Sequence, residues 1–274
     1  MSEPIVHVSC VRHTYPDRTS VHLCGLDFVV EKGQRVVILG PNGCGKSTLL
    51  YHILGLLAPQ EGNVQVFGAD PAKHFSKIRE RVGVLLKNAD EQIIAPTVYD
   101  DVSFSPRNYG YTDAEVGEKV SVALRKVGIE HLAHKVCHYL SGGEKRKVAL
   151  AGALVLDEPF EGLDPASRND IVDLLNRLNR EHGVSLVVAT HDVQLVQPLA
   201  DKVYVLKRGG EILAQGPPAE IFRDVELLKR TNIEAPVLAE LFQVLESRGV
   251  DLGRPENVEE AVKLLLERMG VARS

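Results

Sequence analysis

Hydrophobic and polar residues alternate along residues 4–40, and this period of two predicts β-strands. The alternation runs through IVHVSCVRH, a polar turn at YPDRTS, then LCGLDFVV and QRVVILG, with a second turn at residues 31–33. The apolar spacing of LLYHILGLL then predicts a helix, and EGNVQVFG predicts a further pair of strands. The chain is therefore expected to begin with a β-rich subdomain.

The pattern changes after residue 90, where AEVGEKVSVALRKVGI has helical periodicity and predicts an inserted helical subdomain at about residues 91–150. Short apolar strands return in LVLDE, SLVVATH and KVYVLKRGGEILAQG, so the fold class is α/β with a mainly parallel core sheet. From about residue 233 the pattern predicts two amphipathic helices, APVLAELFQVLESRG and VEEAVKLLLERMG. They are separated by the Gly/Pro-bearing link DLGRPEN. We therefore divide the chain into residues 1–230 and a C-terminal helical extension at 231–274.

Composition narrows the classes of function. The 274 residues carry a net charge of -5, which gives no electrostatic reason to expect a nucleic-acid partner. Binding of nucleic-acid phosphates over a broad face needs clustered Lys and Arg. No apolar run reaches the roughly 18 residues of a membrane-spanning helix. The four cysteines form no C-x-x-C pair and the first residues do not resemble a signal peptide, so we expect a cytosolic chain with reduced thiols.

Residues 40–48, GPNGCGKST, fit the phosphate-binding pattern G-x-x-x-x-G-K-[ST] between a strand and a helix. In this pattern backbone N–H groups face the phosphates, Lys46 neutralises the β- and γ-phosphates, and Ser47 ligates Mg²⁺. The cofactors predicted are ATP and Mg²⁺. The predicted nucleotide-binding residues of the loop are Asn42, Gly43, Cys44, Gly45, Lys46, Ser47 and Thr48.

Asp157 and Glu158 end a buried strand, at the edge of the sheet where ligands of open α/β folds bind. Asp157 is placed to hold the Mg²⁺ shell, and Glu158 to activate the attacking water. Alone, an Asp-Glu pair after a strand more often forms a solvated turn. The phosphate loop makes the catalytic interpretation the stronger one.

The segment Leu140–Glu144, LSGGE, opens a helix with Ser141 as its N-cap and two glycines, Gly142 and Gly143, that allow close backbone approach. Between a phosphate loop and a hydrophobic-DE strand, LSGGE resembles the signature motif of the ATP-binding cassette (ABC) family. The resemblance implies a P-loop NTPase with an N-terminal antiparallel β subdomain, a RecA-like parallel core sheet, an inserted helical subdomain and a short C-terminal extension. It also implies a head-to-tail dimer, in which Ser141, Gly142 and Gly143 bind the γ-phosphate held by the other subunit.

Three further positions match family motifs. Tyr15 resembles the aromatic residue that stacks on adenine, Leu163-Asp164 the loop that contacts the facing subunit, and His191 the switch histidine at the γ-phosphate. Taken without the family, a histidine at a strand end is more often a polar loop residue. The resemblance therefore implies Glu158, His191 and Lys46 as catalytic residues and adds Tyr15 and Asp164 to the nucleotide site.

Residues 88–106, together with LSGGEKRKVALAGAL, resemble more narrowly the ATPase subunits of energy-coupling factor transporters of the cobalt and nickel branch. This resemblance implies an ATPase that powers an importer of cobalt, nickel or another micronutrient from the cytoplasmic face of the membrane. Its partners would be an identical or paralogous ATPase, through the C-terminal helices, and a membrane subunit, through a coupling helix. The alternative is a regulatory or scaffold ABC protein that binds ATP and dimerises with little hydrolysis.

The sequence departs from the family at Lys87, where members usually carry a glutamine whose oxygen reaches Mg²⁺ and the attacking water. Lysine has donors only and cannot coordinate a cation. Either Lys87 contacts the γ-phosphate directly, or Gln92 takes the role of the glutamine. We favour the first, because Gln92 matches a second glutamine usual in the narrower family and an ammonium binds phosphate well.

A second departure is the spacing of 16 positions between Ser141 and Asp157, which is shorter than the family normally has. Little more than Gly152 is left to turn the chain between the signature helix and the strand expected at residues 153–157. Either residues are missing from the sequence, or the signature helix is shortened by about two turns.

Four residues could form a metal site, since they lie at helical spacings of three, four and seven: His131, His134, Cys137 and His138. We prefer a polar helix flank, because no further ligand or supporting partner is evident. Cys44 is interpreted as a small packing residue, although the local positive field would lower its pKa.

Overall fold

The computed structural model describes residues 4–150, 155–253, 255 and 258–269. The strands in these ranges are β1 Val6–Thr14, β2 Ser20–Leu23, β3 Phe28–Val30, β4 Arg35–Leu39, β5 Glu61–Val66, β6 Val84–Leu85, β7 Val155–Asp157, β8 Leu186–Thr190, β9 Lys202–Leu206 and β10 Ile212–Gly216. The α-helices are α1 Lys46–Ile53, α2 Pro71–His74, α3 Ala89–Gln92, α4 Val98–Asn108, α5 Asp113–Val127, α6 Gly142–Leu150, α7 Pro165–His182, α8 Val196–Leu199, α9 Pro218–Arg223, α10 Val225–Arg230, α11 Val237–Ser247 and α12 Val258–Arg268.

The N-terminal subdomain is an antiparallel sheet built around the long strand β1, which pairs with β2, β3 and β5. The alternation in the sequence predicted β1 to β3, because inward residues such as Val6, Val8 and Val11 are buried while their neighbours are not. The predicted second strand after β5 is wrong. The chain instead reverses in a tight turn, closed by the bridge between Val66 and Ala69.

Two cysteines of this sheet are joined, contrary to the expectation of reduced thiols. Cys10 and Cys24 form a disulfide, with their Cα atoms 4.1 Å apart. The pairing of β1 with β2 brings them together, since the register that sets Val11 opposite Leu23 continues one residue to this pair. The other two cysteines, Cys44 and Cys137, are buried and free.

The core sheet has the order β10-β9-β4-β8-β7-β6, and its members are parallel except for the edge strand β10. The mainly parallel α/β core is therefore confirmed. Strand β4 lies at its centre and is packed on both faces. Val37 and Leu39 face the cluster formed with the helices, whereas Val36 and Ile38 face the cluster shared with α1 and the antiparallel sheet.

Tyr204 of β9 joins the two sheets. Its ring is fully buried against Phe28, with ring centroids 4.6 Å apart. Its hydroxyl donates to the carbonyl oxygen of Val29 at 3.0 Å and accepts from the Val29 N–H at 2.9 Å. Because a buried hydroxyl needs such partners, the contact fixes the antiparallel subdomain against the core sheet.

Helices lie in the segments where AEVGEKVSVALRKVGI, APVLAELFQVLESRG and VEEAVKLLLERMG predicted them. Helices α3 to α6 lie between β6 and β7, and α11 and α12 follow the last strand. No helix in the described ranges has the length and apolar character needed to cross a membrane. The C-terminal helices carry an exposed apolar stripe, which consists of Val237, Leu241, Val244, Val258, Val262, Leu266 and Met269.

Candidate functional site

The phosphate loop connects β4 to α1, and its glycines are required by its backbone. Gly43 and Gly45 have φ values of 75° and 109°. A Cβ atom on Gly45 would lie 2.7 Å from Val21 Cγ1, and one on Gly40 would lie 2.6 Å from Cys44 Sγ. The loop therefore keeps its shape only with glycine at these positions.

Lys46 begins α1 and its side chain is 6% exposed. The Nζ atom donates to the carbonyl oxygens of Gly40 at 2.8 Å and Pro41 at 3.2 Å. The side chain therefore connects the end of the loop to its start. It also lies 3.3 Å from Glu158 Oε1. The predicted phosphate-binding lysine and the predicted general base are thus in direct contact.

The three predicted catalytic residues meet at the carboxyl ends of neighbouring strands. Glu158 follows β7 and His191 follows β8, and His191 Nδ1 lies 3.0 Å from Glu158 Oε1. Glu158 itself has a φ of 44°, a left-handed conformation that costs a non-glycine residue about 1–3 kcal/mol. This backbone turns the carboxylate towards Lys46 and His191.

Asp157 is the residue whose surroundings best fit a cation. Its carboxylate is buried, and Oδ1 has no hydrogen-bond partner among the described residues. Burial raises the pKa of Asp157, while a hydrogen bond from Ser47 and the charge of Lys46 lower it. A hard cation such as Mg²⁺ prefers carboxylate and hydroxyl oxygens. The unpartnered Oδ1 beside Ser47 therefore fits the predicted Mg²⁺ ligands.

Tyr15 lies against the phosphate-loop helix. Its hydroxyl shares a 2.9 Å hydrogen bond with Thr48 Oγ1. A pair of histidines lies behind Tyr15 and was not predicted from the sequence. The His13 ring meets the Tyr15 ring edge-on at 4.6 Å, and the buried His52 ring lies 5.2 Å from His13. No sequence signal marked this pair, since its members are far apart along the chain.

Cys44 occupies the interior of the loop and is fully buried, as a packing residue would be. The expected lowering of its pKa is wrong. Burial raises the pKa of the thiol, and this outweighs the opposing charge of Lys46. Asn42 lies beside it at the exposed outer side of the loop.

The signature segment is capped as the sequence predicted. Ser141 Oγ accepts from the Glu144 N–H at 3.2 Å, and Glu144 Oε2 accepts from the Ser141 N–H at 2.7 Å. Ser141 and Gly142 are exposed, and a Cβ added to Gly142 would make ordinary van der Waals contacts, with its nearest neighbours 3.8 Å away. The hydrogen bonds of this cap join Ser141, Glu144 and Lys135, so they are local to the signature segment.

Asp164 is the N-cap of α7, and its carboxylate caps the helix. Oδ1 accepts from the Ser167 N–H at 2.9 Å, and Oδ2 from its hydroxyl at 2.6 Å. These bonds lower the pKa of Asp164. The same Ser167 side chain lies 3.4 Å from a Cβ placed on Gly143, so the signature and this loop are neighbours.

Lys87 and Gln92 differ in what they contact. Gln92 Oε1 accepts from the Leu86 N–H at 2.7 Å, and its Nε2 donates to the Val84 carbonyl at 3.1 Å. Its amide therefore supports the segment after β6. Lys87 Nζ instead pairs with Glu161 Oε2 at 2.9 Å. The role of Glu161 was not predicted from the sequence, although a lysine in the predicted nucleotide site was a signal to look for a counter-ion.

The suspected metal ligands do not lie on one helix. Residues Glu130–Leu132 and Cys137–Tyr139 form two separate 3₁₀ turns, so the helical spacing and the polar helix flank are both wrong. No group of three potential metal ligands occurs in the described part of the chain. The turn expected around Gly152, with the first residues of the predicted strand, lies outside the described residues. The described signature helix ends at Leu150.

A phosphate loop, a lysine and a carboxylate pair at adjacent strand ends define a P-loop nucleoside triphosphatase. The ABC transporter family profile matches residues 23–167. The energy-coupling factor transporter ATP-binding protein EcfA of Methanothermobacter thermautotrophicus is 41% identical over 276 residues, covering 97% of this chain and 88% of that protein. EcfA of Methanocaldococcus jannaschii is 44% identical over 255 residues, 89% and 90% of the two chains.

The structure is also similar to a solved one. cbiO1 from Clostridium perfringens, part of the ABC transporter complex cbiONQ, has a TM-score of 0.75 at 34% identity and covers 88% of this chain and 100% of that chain. The chain belongs to the ABC transporter family, as an ATPase of the kind that hydrolyses ATP to power transport.

Proposed function

We propose that this chain is the ATP-hydrolysing subunit of an energy-coupling factor type importer. The observation that carries the catalytic part is the contact of the buried Glu158 carboxylate with both Lys46 and His191, at 3.3 Å and 3.0 Å. The similarity to EcfA proteins and to cbiO1 supports the transporter class. Cobalt, nickel or another micronutrient is the proposed solute.

Each residue of the nucleotide site has a proposed role in ATP hydrolysis. Lys46 exchanges the carbonyl oxygens of Gly40 and Pro41 for the β- and γ-phosphate oxygens of ATP. This exchange releases Glu158, which accepts a proton from the attacking water. His191 orients the Glu158 carboxylate and contacts the terminal phosphate. Asp157 and Ser47 would hold Mg²⁺, which supplies positive charge that neutralises the phosphate oxygens.

The active form is proposed to be a head-to-tail dimer of identical or paralogous chains. Two observations support it: the exposure of Ser141 and Gly142 in the signature, and the exposed apolar stripe on α11 and α12. In the dimer Ser141, Gly142 and Gly143 bind the terminal phosphate held by the facing phosphate loop. The C-terminal extension, residues 231–274, adds a second contact by burying its stripe.

A membrane subunit is proposed to dock through a coupling helix beside α4. Ile94 and Val136 are exposed there, at 63% and 43% of their surface, and line a cleft with Pro96 and Lys145. Exposed apolar residues grouped at a cleft favour a protein partner. The chain would then lie peripherally on the cytoplasmic face of the membrane.

Phosphate release with and without Mg²⁺ tests the catalytic proposal. We expect the wild-type chain to hydrolyse ATP, and Glu158→Gln to lose turnover while it still binds ATP. Sedimentation of Glu158→Gln with ATP should show a dimer, and only monomer would contradict the dimeric form. A wild-type chain that is idle until Lys87→Gln restores turnover would instead favour the regulatory ABC protein.

A further inference from the structure

We propose that Glu161 is a positioning residue that holds the Lys87 ammonium beside the catalytic carboxylates, so that Lys87 binds the terminal phosphate of ATP and distinguishes ATP from ADP. This inference rests on the proposed function, because it assigns a role within the same nucleotide site. The two residues lie at the carboxyl ends of the paired strands β6 and β7. Their ion pair spans 2.9 Å between Nζ and Oε2.

The ion pair with Glu161 places the ammonium near the catalytic carboxylates. The pKa of Lys87 is raised, first by the hydrogen bond and charge of Glu161 and then by the charges of Glu158 and Asp157. In turn, the charge of Lys87 acts to lower the pKa of Asp157. The ammonium therefore lies within electrostatic reach of both carboxylates that act on the terminal phosphate.

Glu161 is suited to hold a flexible side chain because its own backbone is fixed. Its carbonyl oxygen accepts a hydrogen bond from the buried guanidinium of Arg146, in the signature helix α6. Its N–H donates to the carbonyl oxygen of Glu158 at 3.2 Å. The preceding Phe160 is buried, with 3% of its surface exposed. A carboxylate on this backbone can restrict a lysine that has four rotatable bonds.

The segment that carries Lys87 is held as firmly. Gln92 bonds the backbone at Val84 and Leu86 on either side of the strand end. Lys145 of α6 pairs with Asp90, just beyond Lys87. Lysine cannot ligate Mg²⁺, but its ammonium binds phosphate oxygens as a point charge. Only the terminal phosphate distinguishes ATP from ADP, so a cation at this place contributes to that distinction.

The test measures the dissociation constants of ADP and ATP with fluorescent analogues of both nucleotides, in a Glu158→Gln background that prevents hydrolysis. The quantity compared is the ratio of the ADP constant to the ATP constant, which falls when the preference for ATP is lost. Lys87→Met keeps the length of the side chain and removes its charge. We expect it to reduce the ratio about tenfold, as for loss of a charged hydrogen bond. Glu161→Gln should reduce the ratio about threefold, the size of a partly exposed ion pair.

The double variant decides between positioning and an unrelated effect. If Glu161 acts through Lys87, then Glu161→Gln has no further effect on the ratio once Lys87→Met is present. A ratio that Glu161→Gln leaves unchanged, or reduces equally in both backgrounds, overturns the inference. Glu226→Gln is the matched control, since it removes an exposed carboxylate that faces Lys229 on α10.

Turnover of the otherwise wild-type chain is measured beside these ratios. A chain without turnover whose nucleotide ratios follow the pattern above would contradict the proposed function and leave the inference standing. A chain with turnover whose ratios do not respond to Glu161→Gln would contradict the inference alone.

Discussion

Acid should destabilise this fold through His52, in the last turn of α1. The ring is fully buried, and Nδ1 donates to the Leu57 carbonyl oxygen at 3.0 Å, which leaves Nε2 unprotonated in the neutral ring. Nε2 is buried without a hydrogen-bond partner in the described chain. Protonation would therefore place a charged N–H where no acceptor lies, with the His13 ring 5.2 Å away.

The size of this loss of stability follows from the pKa of His52. Burial lowers the pKa of His52 from 6.5 to about 4. Between these values the unfolded chain binds a proton that the folded chain does not, so the contribution of His52 to stability is lost as pH falls from about 6.5 towards 4. At pH 5 the free energy of unfolding should be about 2 kcal/mol lower than near pH 7.5 from this residue alone.

Urea unfolding of the wild type and of His52→Asn, each at pH 5 and pH 7.5, isolates the contribution of His52 to stability. The asparagine amide can still donate to the Leu57 carbonyl but cannot gain a proton. The wild type should lose about 2 kcal/mol more than His52→Asn on acidification. His182→Asn, which changes an exposed histidine at the end of α7, should behave as the wild type. Equal losses in the wild type and His52→Asn would refute the reasoning.

Three further predictions concern the loop, the cation site and the disulfide. Gly45→Ala should lower the free energy of unfolding by about 1–3 kcal/mol in urea, because its φ is 109° and the new methyl group meets Val21. The raised pKa of Asp157 predicts that the Mg²⁺ concentration for half-maximal turnover rises as pH falls towards 5.5, and a constant requirement would contradict it. Alkylation of the denatured chain should label two thiols before reduction and four afterwards, since Cys10 and Cys24 are bridged; reduction should cost up to about 3 kcal/mol of stability in urea.

Sequence patterns predicted the parts of the fold that depend on local order. The glycine loop before α1 and the cap at Ser141 follow from backbone geometry within a few residues, and the structure shows both. The strand pairing that joins Cys10 to Cys24 depends on register and could not be read from the spacing of the two residues.

Contacts between distant residues were the other part that the sequence did not predict. The pair formed by His13 and His52 requires β1 to pack over α1, which no local pattern specifies. The partner of Lys87 lies 74 positions further along the chain, at Glu161. In both cases the charge or ring is visible in the sequence, but its neighbour is decided by the packing of two elements.

The packing of β4, β7 and β8 on both faces has a mechanical consequence. Asp157 ends one of these strands, and Lys46 and His191 follow the other two. The side chains of the strands fill two separate clusters, and strands enclosed in this way open to solvent only in global unfolding. Their backbone amides should be the slowest in the chain to exchange with deuterium. We expect any movement that accompanies ATP hydrolysis to occur in the surrounding elements, while the strands that carry the chemistry act as the fixed reference.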